Sequence, residues 1–319
     1  MRSVLAQTFS EWEGYIINDD PEDGRVADLI ARLGDSRLKL HQPMIKRGPA
    51  GSFNLAFSAS NCEFSTLLED DNWWEPSFLQ TMIARLDASP DVDLVVGNER
   101  IWEETPSGDW INTHRTIWSE GPDQLFSTPV DLACGSAKLC NSSMVVRRLG
   151  RVPFLTPDDL PVDVTEHFRE RYVNHPFLLV HEPLVNYAVT QHTNRQKGGI
   201  VWGSYQALLT ASCFRSLPPD ARAQLARRLV SSEAGCCTPE ITSLATTSLF
   251  FPEARAIWSC LNWRQRARVL LTWIRRFPSL LCLNKFIHSS TARRHFDFLF
   301  NSPFNRSLHQ SLNTLGRSL

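Results

Sequence analysis

Three consecutive carboxylates, Glu69, Asp70 and Asp71, follow a short apolar run from Phe64 to Leu68. Like charges placed so close together repel one another, so a fold tolerates them at a strand end where a cation lies nearby. Hard oxygen ligands of this kind suit Mg²⁺ or Mn²⁺, ions that commonly carry phosphate groups. The simpler alternative is an acidic turn that is merely solvated. The aromatic, proline and helical residues that come next favour a built site at this turn.

The apolar periodicity on either side of the acidic run predicts alternating strands and helices. The predicted strands cover residues 14–17, 37–41, 64–68, 92–98, 142–146 and 177–189, and the predicted helices cover 25–33, 52–59, 77–86 and 163–173. Such alternation is typical of an α/β domain, a mostly parallel sheet flanked by helices in a Rossmann-like arrangement.

From about residue 200 the pattern predicts helices only. The candidates are residues 202–217, 219–232, 253–260 and 264–277, with Pro278 ending the last of them. We therefore divide the chain into an α/β domain over residues 1–199 and an all-α C-terminal extension over residues 200–319.

The net charge of −1 hides a strong asymmetry between these two parts. Residues 200–319 contain 15 basic and 5 acidic side chains, whereas residues 1–199 contain 18 basic and 29 acidic ones. The basic part could face phosphate-rich lipid or nucleic acid, or pack on the acidic part. No nucleic-acid recognition motif accompanies it. A hydrophobic content of 42% with 21% charged residues excludes a disordered chain.

The eight cysteines show neither a CxxC pair nor a disulfide-like spacing. This pattern predicts a reducing compartment and mostly buried thiols. The chain shows no secretory signal, and no apolar run reaches the ~18 residues that would span a bilayer. We therefore expect a cytoplasmic protein that is soluble or peripheral to a membrane.

Four segments in a fixed order resemble the family-2 glycosyltransferases, which have the GT-A fold. The segments are Ser3–Phe9, Ile16–Asp20, Arg47–Ala50 with Asn54–Ala56, and Leu68–Pro76. The resemblance covers roughly residues 3–195. It implies transfer of a sugar from a nucleotide-diphosphate donor to an acceptor hydroxyl with inversion, in the synthesis of a bacterial-type surface or secreted polysaccharide. The implied partners are the nucleotide sugar and a glycan or lipid-linked acceptor.

The resemblance also implies roles for the residues that bind the donor. Asp19 and Asp20 match the acidic pair that faces the nucleotide, although either side chain could instead cap a turn before Pro21. Arg47 matches the turn under the diphosphate, where helix N–H groups favour phosphate; taken by itself, this segment also fits an ordinary Pro-Gly turn. The family's usual Asn and Arg are replaced here by Lys46 and Phe53.

The acidic run resembles the family's DxD-type metal motif, with Glu69 as its first acid and Asp71 as its second. Asp71 would ligate Mn²⁺ or Mg²⁺, and Glu69 would approach the ribose, the metal or a metal-bound water. Asp70 is the alternative partner of Asp71. Trp73 and Trp74 would line the acceptor side or pack beneath the turn.

The resemblance places the general base at Asp163, at the start of a predicted helix. Asp158 and Asp159 are the rival bases, and an N-cap is the structural alternative for Asp163. His192, at the end of the last predicted strand, would contact the diphosphate or the metal. The cations that follow it would cover the donor phosphates or would simply be solvated.

Residues that would form the family's first strand and the start of its first helix do not precede Ser3. We expect either a true start upstream of Met1 or a truncated product with impaired activity. In a doubly wound sheet the first strand is central, so its two neighbours would each lose a pairing partner. The alternative function is accordingly a GT-A-like remnant that binds partners or docks on a membrane without turnover.

Residues 263–277 form an amphipathic helix pattern with one apolar stripe at positions 263, 267, 270, 274 and 277, flanked by five arginines. Such a helix can lie on an anionic membrane, which would suit a lipid-linked acceptor at its inner face. It could also pack its stripe on the catalytic domain.

Overall fold

A computed structural model describes residues 1–58, 61–128, 130–131, 138–147, 176–191, 199–215, 217–231 and 241–300. A short helix, α1 (Arg2–Leu5), leads into a parallel pair of strands, β1 (Gly14–Ile17) and β2 (Leu38–His41). The helix α2 (Arg25–Leu33) connects them, and Gly34 ends it in the left-handed conformation at φ 62°. Glycine adopts this conformation without the steric cost that a Cβ brings.

The other strands form one mixed sheet. Its path runs β3 (Phe64–Thr66), β8 (Met144–Arg147), β5 (Leu94–Glu104), β9 (Phe177–Val189) and β4 (Trp73–Trp74), with β6 (Trp110–Thr116) on β5 and β7 (Gln124–Phe126) on β9. Within this sheet β5 and β9 run parallel, and the other pairs between described strands are antiparallel. The expected α/β sheet flanked by helices is present, but it is mixed rather than mostly parallel. Short antiparallel strands such as β4 and β8 carry too few residues for periodicity to reveal their direction.

Two strands have an open edge among the described strands. Within the described part of the chain, β1 is hydrogen-bonded to β2 alone and β3 to β8 alone. The two sheets nevertheless adjoin, because the Cys62 thiol before β3 lies 3.3 Å from the Glu13 carboxylate before β1.

Alternate side chains of β5 enter opposite faces of the sheet, as strand geometry requires. Leu94 and Val96 pack with Trp118, Phe126 and other residues on one face. Val95 packs on the other face against α4 (Phe78–Asp87) and the residues around Trp74. The helix α3 (Gly48–Ser58) contacts β1. Both faces are therefore covered, which is the layered arrangement that buries a sheet.

The C-terminal extension is helical, as expected, and has its own apolar core built around Tyr205, Leu208 and Phe214. Its helices are α5 (Ile200–Arg215), α6 (Pro219–Val230), α7 (Ile241–Phe250), α8 (Ala256–Cys260), α9 (Trp263–Arg275), α10 (Phe277–Ile287), α11 (Ser290–His295) and α12 (Asp297–Phe300). None of the helices that the structure describes is both long and apolar enough to cross a membrane.

The predicted helix over 264–277 does end near Pro278: α9 ends at Arg275, and Pro278 occupies the first turn of α10, where its missing N–H needs no partner. One local expectation needs correction. The cysteines are not mostly buried: among the five described, Cys140 is buried, whereas Cys62 and Cys282 are exposed. None of the five forms a disulfide, in accord with the spacing.

Candidate functional site

The acidic turn lies between β3 and β4, and its three carboxylates have different environments. Asp70 and Asp71 are exposed, whereas Glu69 is turned into the fold. The Glu69 carboxylate accepts hydrogen bonds from the Ser142 hydroxyl at 3.1 Å and from the Asn72 amide at 3.3 Å. Asn141 lies 3.4 Å from its other oxygen. Glu69 therefore anchors the turn from the inside, and the two aspartates project from it.

Ser142 is the centre of this anchor. Its side chain is fully buried in a single 3-10 turn, Asn141–Ser143, immediately before β8. The hydroxyl accepts from the Glu69 backbone N–H at 3.1 Å and from the Asn72 amide at 3.0 Å, and it donates to the Glu69 carboxylate. All three hydrogen-bonding positions of one hydroxyl are thus used to hold the turn.

Two residues that follow the acids fix the turn to the strands beside it. The buried Asn72 accepts from the Ala188 backbone N–H on β9 at 2.9 Å. Trp74 donates from its indole N–H to the Ser142 carbonyl at 2.7 Å and stacks on Phe78 with ring centroids 4.6 Å apart. Trp74 consequently packs beneath the turn, one of the two roles that its sequence position predicts.

Burial and neighbouring charges shift the pKa of two carboxyl groups in the turn. Burial raises the pKa of the Glu69 carboxyl above its ordinary value, hydrogen bonds from Asn141 and then Ser142 oppose that rise, and repulsion from Asp71 adds to it. The pKa of Asp71 is raised as well, first by partial desolvation and then by the negative charge of Asp70. A cation bound beside Asp71 would relieve both of these energetic costs.

The segment after the turn is tied to the N-terminal residues by Gln7, which is buried beside α1. Gln7 donates to the Glu75 carbonyl at 2.8 Å and accepts from the Leu79 N–H at 2.9 Å. Thr8 donates its backbone N–H to the Pro76 carbonyl at 2.9 Å. The Ser3–Phe9 segment thereby positions the entry to α4.

Asp19 lies just beyond the end of β1 and faces the first turn of α3. Its carboxylate accepts the backbone N–H of Arg47 at 2.8 Å and that of Gly48 at 2.7 Å. These are the N–H groups that the sequence predicts to face a phosphate of the donor. In this structure Asp19 itself satisfies them, and the Arg47 side chain is exposed beside them.

Asp20 is exposed and closes a local turn, accepting from the Glu22 backbone N–H at 3.1 Å. Gln42, which follows β2, donates to the Asp20 carbonyl at 2.8 Å. The loop that carries both aspartates is therefore fixed in shape, with the Asp20 side chain in the turn-capping role that the sequence left open.

Trp73 belongs to a cluster of three tryptophans beside the acidic turn. Its ring centroid lies 5.3 Å from that of Trp102 on β5 and 6.2 Å from that of Trp110 on β6. Trp102 is fixed by a 2.7 Å hydrogen bond from its indole N–H to Asn186. Trp110 is 40% exposed, so the cluster presents an aromatic surface to solvent. No pattern in the sequence predicts that Trp102 and Trp110 lie beside the acidic turn.

Several predicted site residues lie outside the described residues. They are the base Asp163, its rivals Asp158 and Asp159, and His192. Their roles remain predictions from the sequence.

A metal at the acidic turn would need ligands beyond the described side chains. Across the described residues, no three His, Cys, Asp or Glu side chains gather into a group that would hold a metal by themselves. Mg²⁺ and Mn²⁺ are nevertheless often held by one or two carboxylates together with substrate phosphates. The exposed Asp71 and Asp70 fit that mode. Both oxygens of Glu69 face donors of the fold, so its predicted role as a ligand gains no support from the geometry.

The residues that sequence reasoning missed are those that hold the site rather than those that project from it: Gln7, Asn72, Ser142, Trp102 and Trp110. A buried polar residue beside a charged turn is the signal that could have indicated Asn72. Ser142 gives no such signal, because its partners lie about 70 residues away.

Comparison with known proteins matches the N-terminal part of the chain to one family. Residues 1–147 match the family model of Glycosyl transferase family 2. Residues 1–147 belong to this family. The acidic turn, Asp19 and Ser142 all lie within the matched region.

Solved structures share the fold of this chain. TarS of S. aureus, residues 1–349 in complex with UDP, superposes with a TM-score of 0.54 at 13% identity, over 92% of this chain and 86% of TarS 1–349. A longer TarS structure superposes with a TM-score of 0.55 at 14% identity, over 89% of this chain and 51% of that one. At these identities the likeness shows the fold alone.

One curated relative of the family 2 domain is the Escherichia coli UDP-Glc:alpha-D-GlcNAc-diphosphoundecaprenol beta-1,3-glucosyltransferase WfgD. It is 29% identical over 99 residues, which are 31% of this chain and 38% of WfgD. The match spans well under half of that relative's length.

Proposed function

We propose that this protein transfers a sugar from a nucleotide-diphosphate donor to an acceptor hydroxyl with inversion at the anomeric carbon. The observation that carries the proposal is the construction of the acidic turn. A buried network around Ser142 holds the turn rigidly, while Asp70 and Asp71 are left exposed to a ligand. A fold gains nothing in stability from exposing two adjacent carboxylates on such a support, so a cationic ligand is the natural reason for them.

A nucleotide diphosphate is the donor that fits. TarS was solved with UDP, and WfgD is named for UDP-glucose. In this protein Asp19 and Asp20 are the groups that we assign to the nucleotide, with Arg47 beside them for the diphosphate. Asp19 already orders the turn at Arg47 and Gly48, so the donor would meet a preformed loop.

We place Mn²⁺ or Mg²⁺ on Asp71, with Asp70 as its neighbour and Glu69 as the group that positions the turn. A divalent ion at such a site supplies Lewis-acid stabilisation of the departing diphosphate. The residues would contribute the rest: Asp71 would hold the ion, and His192 would contact the diphosphate.

Asp163 would take the proton from the acceptor hydroxyl as that oxygen attacks the anomeric carbon. Direct attack breaks the bond between the sugar and the diphosphate and inverts the configuration. No covalent intermediate with the protein is needed.

The acceptor would lie on the tryptophan side of the turn. Tryptophan offers a large, rigid surface on which the apolar face of a sugar ring can pack. Trp73, Trp102 and Trp110 provide such a surface, and Trp73 follows the acids by two residues. WfgD is named for a lipid-linked acceptor. We propose a glycan or lipid-linked acceptor here too, in the synthesis of a surface polysaccharide at the cytoplasmic face of a membrane.

A second candidate is a GT-A-like domain that binds nucleotide or a partner without turnover. The observation in its favour is the separation of β1–β2 from the main sheet, which leaves the edges of β1 and β3 open among the described strands. This candidate predicts UDP binding without donor hydrolysis.

Titration with UDP in the presence and absence of Mn²⁺, followed by a donor-hydrolysis assay, tests the proposal. We expect Mn²⁺ to strengthen UDP binding and to support hydrolysis. The substitution Asp71→Asn removes the charge that holds the metal, and a metal contributes several kcal/mol to such a step. Metal-dependent hydrolysis should therefore fall by roughly 100-fold or more.

Two matched variants sharpen this test. Asp91→Asn removes an exposed carboxylate between α4 and β5 and should leave hydrolysis unchanged. Asp70→Asn measures whether the neighbouring acid shares the metal. Unchanged hydrolysis by Asp71→Asn would remove this residue from the site, and UDP binding without any turnover would favour the second candidate.

A further inference from the structure

The outer face of α9 and α10 carries a continuous stripe of exposed apolar side chains. Its large members are Trp263, Leu270, Ile274, Phe277 and Leu281, which we call the outer stripe. Trp263 is 74% exposed and Ile274 is 73% exposed. Trp263, Leu270 and Ile274 are seven and four residues apart, which places them on one side of α9, and Phe277 and Leu281, four residues apart, share one side of α10. Water thus faces a row of side chains that a folded protein normally buries.

The outer stripe is not the face by which α9 packs on the protein. That face is formed by Val269, which is fully buried, and by Trp273. Trp273 stacks on Trp258 with ring centroids 5.4 Å apart and donates to the Thr246 hydroxyl at 3.1 Å. The helix therefore has two apolar faces, and the fold covers only one of them.

The charges around the outer stripe are of one sign. Residues 263–287 contain five arginines and one lysine and no acidic residue. Arg264, Arg268 and Arg275 are exposed and follow the edge of the stripe at helical spacing. Apolar side chains bordered by cations match the interface of an anionic bilayer. The apolar side chains can insert among the acyl chains, and the cations can contact the headgroup phosphates.

We propose that the outer stripe lies on the surface of a membrane that contains anionic phospholipid. The rival occupant is a second copy of this chain, because the spacing also resembles a heptad. Two copies would bring unpaired arginines against one another, with no acidic residue in the segment to compensate. A polyanion such as nucleic acid would use the cations but not the exposed aliphatic side chains Leu270, Ile274 and Leu281.

Sedimentation with lipid vesicles tests this surface. We expect the protein to bind vesicles that contain phosphatidylglycerol at least tenfold more tightly than vesicles of phosphatidylcholine alone, with a blue shift of the fluorescence of Trp263. The double variant Leu270→Glu/Ile274→Glu should lose this binding by tenfold or more. Both positions are exposed, so the variant should keep the circular dichroism spectrum of the wild type.

Leu125→Glu is the matched control, because Leu125 is 51% exposed on β7, outside the outer stripe. Its vesicle binding should equal that of the wild type. Equal binding by the double variant would overturn the proposal. A dimer of the wild type in sedimentation velocity that the double variant abolishes, without vesicle binding, would assign the stripe to a second copy. None of these readouts depends on sugar transfer, so this proposal and the proposed function can fail independently.

Discussion

At the scale of single residues, the site depends on a side chain that takes no part in the proposed chemistry. Ser142 uses every hydrogen-bonding position of its hydroxyl on the acidic turn, and it is fully buried. Low local dielectric makes such a network strong when it is satisfied and costly when it is broken.

The substitution Ser142→Ala should therefore lower the free energy of unfolding by ~1–3 kcal/mol, because the Glu69 N–H and the Asn72 amide lose an acceptor in the interior. It should also weaken UDP binding in Mn²⁺, since the turn that carries Asp71 loses its support. Urea unfolding and calorimetric titration measure the two effects.

Ser143→Ala is the comparison for this variant, because Ser143 is equally buried but donates only to the Cys140 carbonyl, at 2.9 Å. It should cost less stability and leave UDP binding unchanged. If the two variants weaken UDP binding equally, Ser142 has no special role at the turn.

At the scale of elements, strand pairing assembles an aromatic surface from distant parts of the chain. The antiparallel β5–β6 pair sets Trp110 opposite Glu104, two residues along β5 from Trp102 and on the same face. β4 brings in Trp73 through its pairing with β9, which itself pairs with β5. The individual tryptophans are visible in the sequence, but their meeting depends on the register of three separate pairings.

If this surface holds the acceptor, Trp110→Ala should raise the acceptor KM roughly three- to tenfold, because the buried apolar contact with a sugar ring is lost. The donor KM should not change. Steady-state kinetics with varied acceptor and saturating donor measure this effect.

Ile111 provides the control, since it is the next residue of β6 and is also exposed, at 56%. Neighbouring residues of a strand point to opposite faces, so Ile111→Ala should leave both KM values unchanged. A Trp110→Ala variant with unaltered acceptor KM would exclude the tryptophan cluster from acceptor binding.

At the scale of the whole molecule, the division into residues 1–199 and 200–319 is a proposal supported by separate cores. The core of the helical region draws only Val130 from the described residues of the first part. An ion pair between Arg228 and Asp131, 2.9 Å long and exposed, also joins the two parts. Exposed pairs of this kind contribute about 0–1 kcal/mol.

Leu208→Ala should distinguish two domains from one cooperative unit. Leu208 is fully buried in the helical core, so its truncation should cost ~2–5 kcal/mol. If the parts unfold separately, one thermal transition moves to lower temperature and the other stays in place. Circular dichroism and calorimetric melting curves record both.

The reciprocal variant is Leu94→Ala, in the core of the sheet. It should move the transition that Leu208→Ala leaves in place. A single transition shifted by both variants would show that residues 1–319 unfold as one unit.

The sequence alone determined much of this protein: the order of the elements from β1 to β5 apart from β4, the helix α2 with its Gly34 end, the acidic turn and the change to helices near residue 200. These features are local, because hydrophobic periodicity, turn residues and charge clusters each depend on a few neighbouring positions in the sequence. The family resemblance supplied the fold class, and the match over residues 1–147 confirmed it.

The tertiary structure alone decided the rest. The Asp19 carboxylate accepts a hydrogen bond from the first turn of α3, 28 residues away in the sequence. The Glu69 backbone N–H donates to Ser142, 73 residues away. It also decided that α9 packs through Val269 and Trp273 and leaves Leu270 and Ile274 outside. Both faces of that helix are apolar, so periodicity could not choose between them. The choice rests on which face finds a complementary surface elsewhere in the fold.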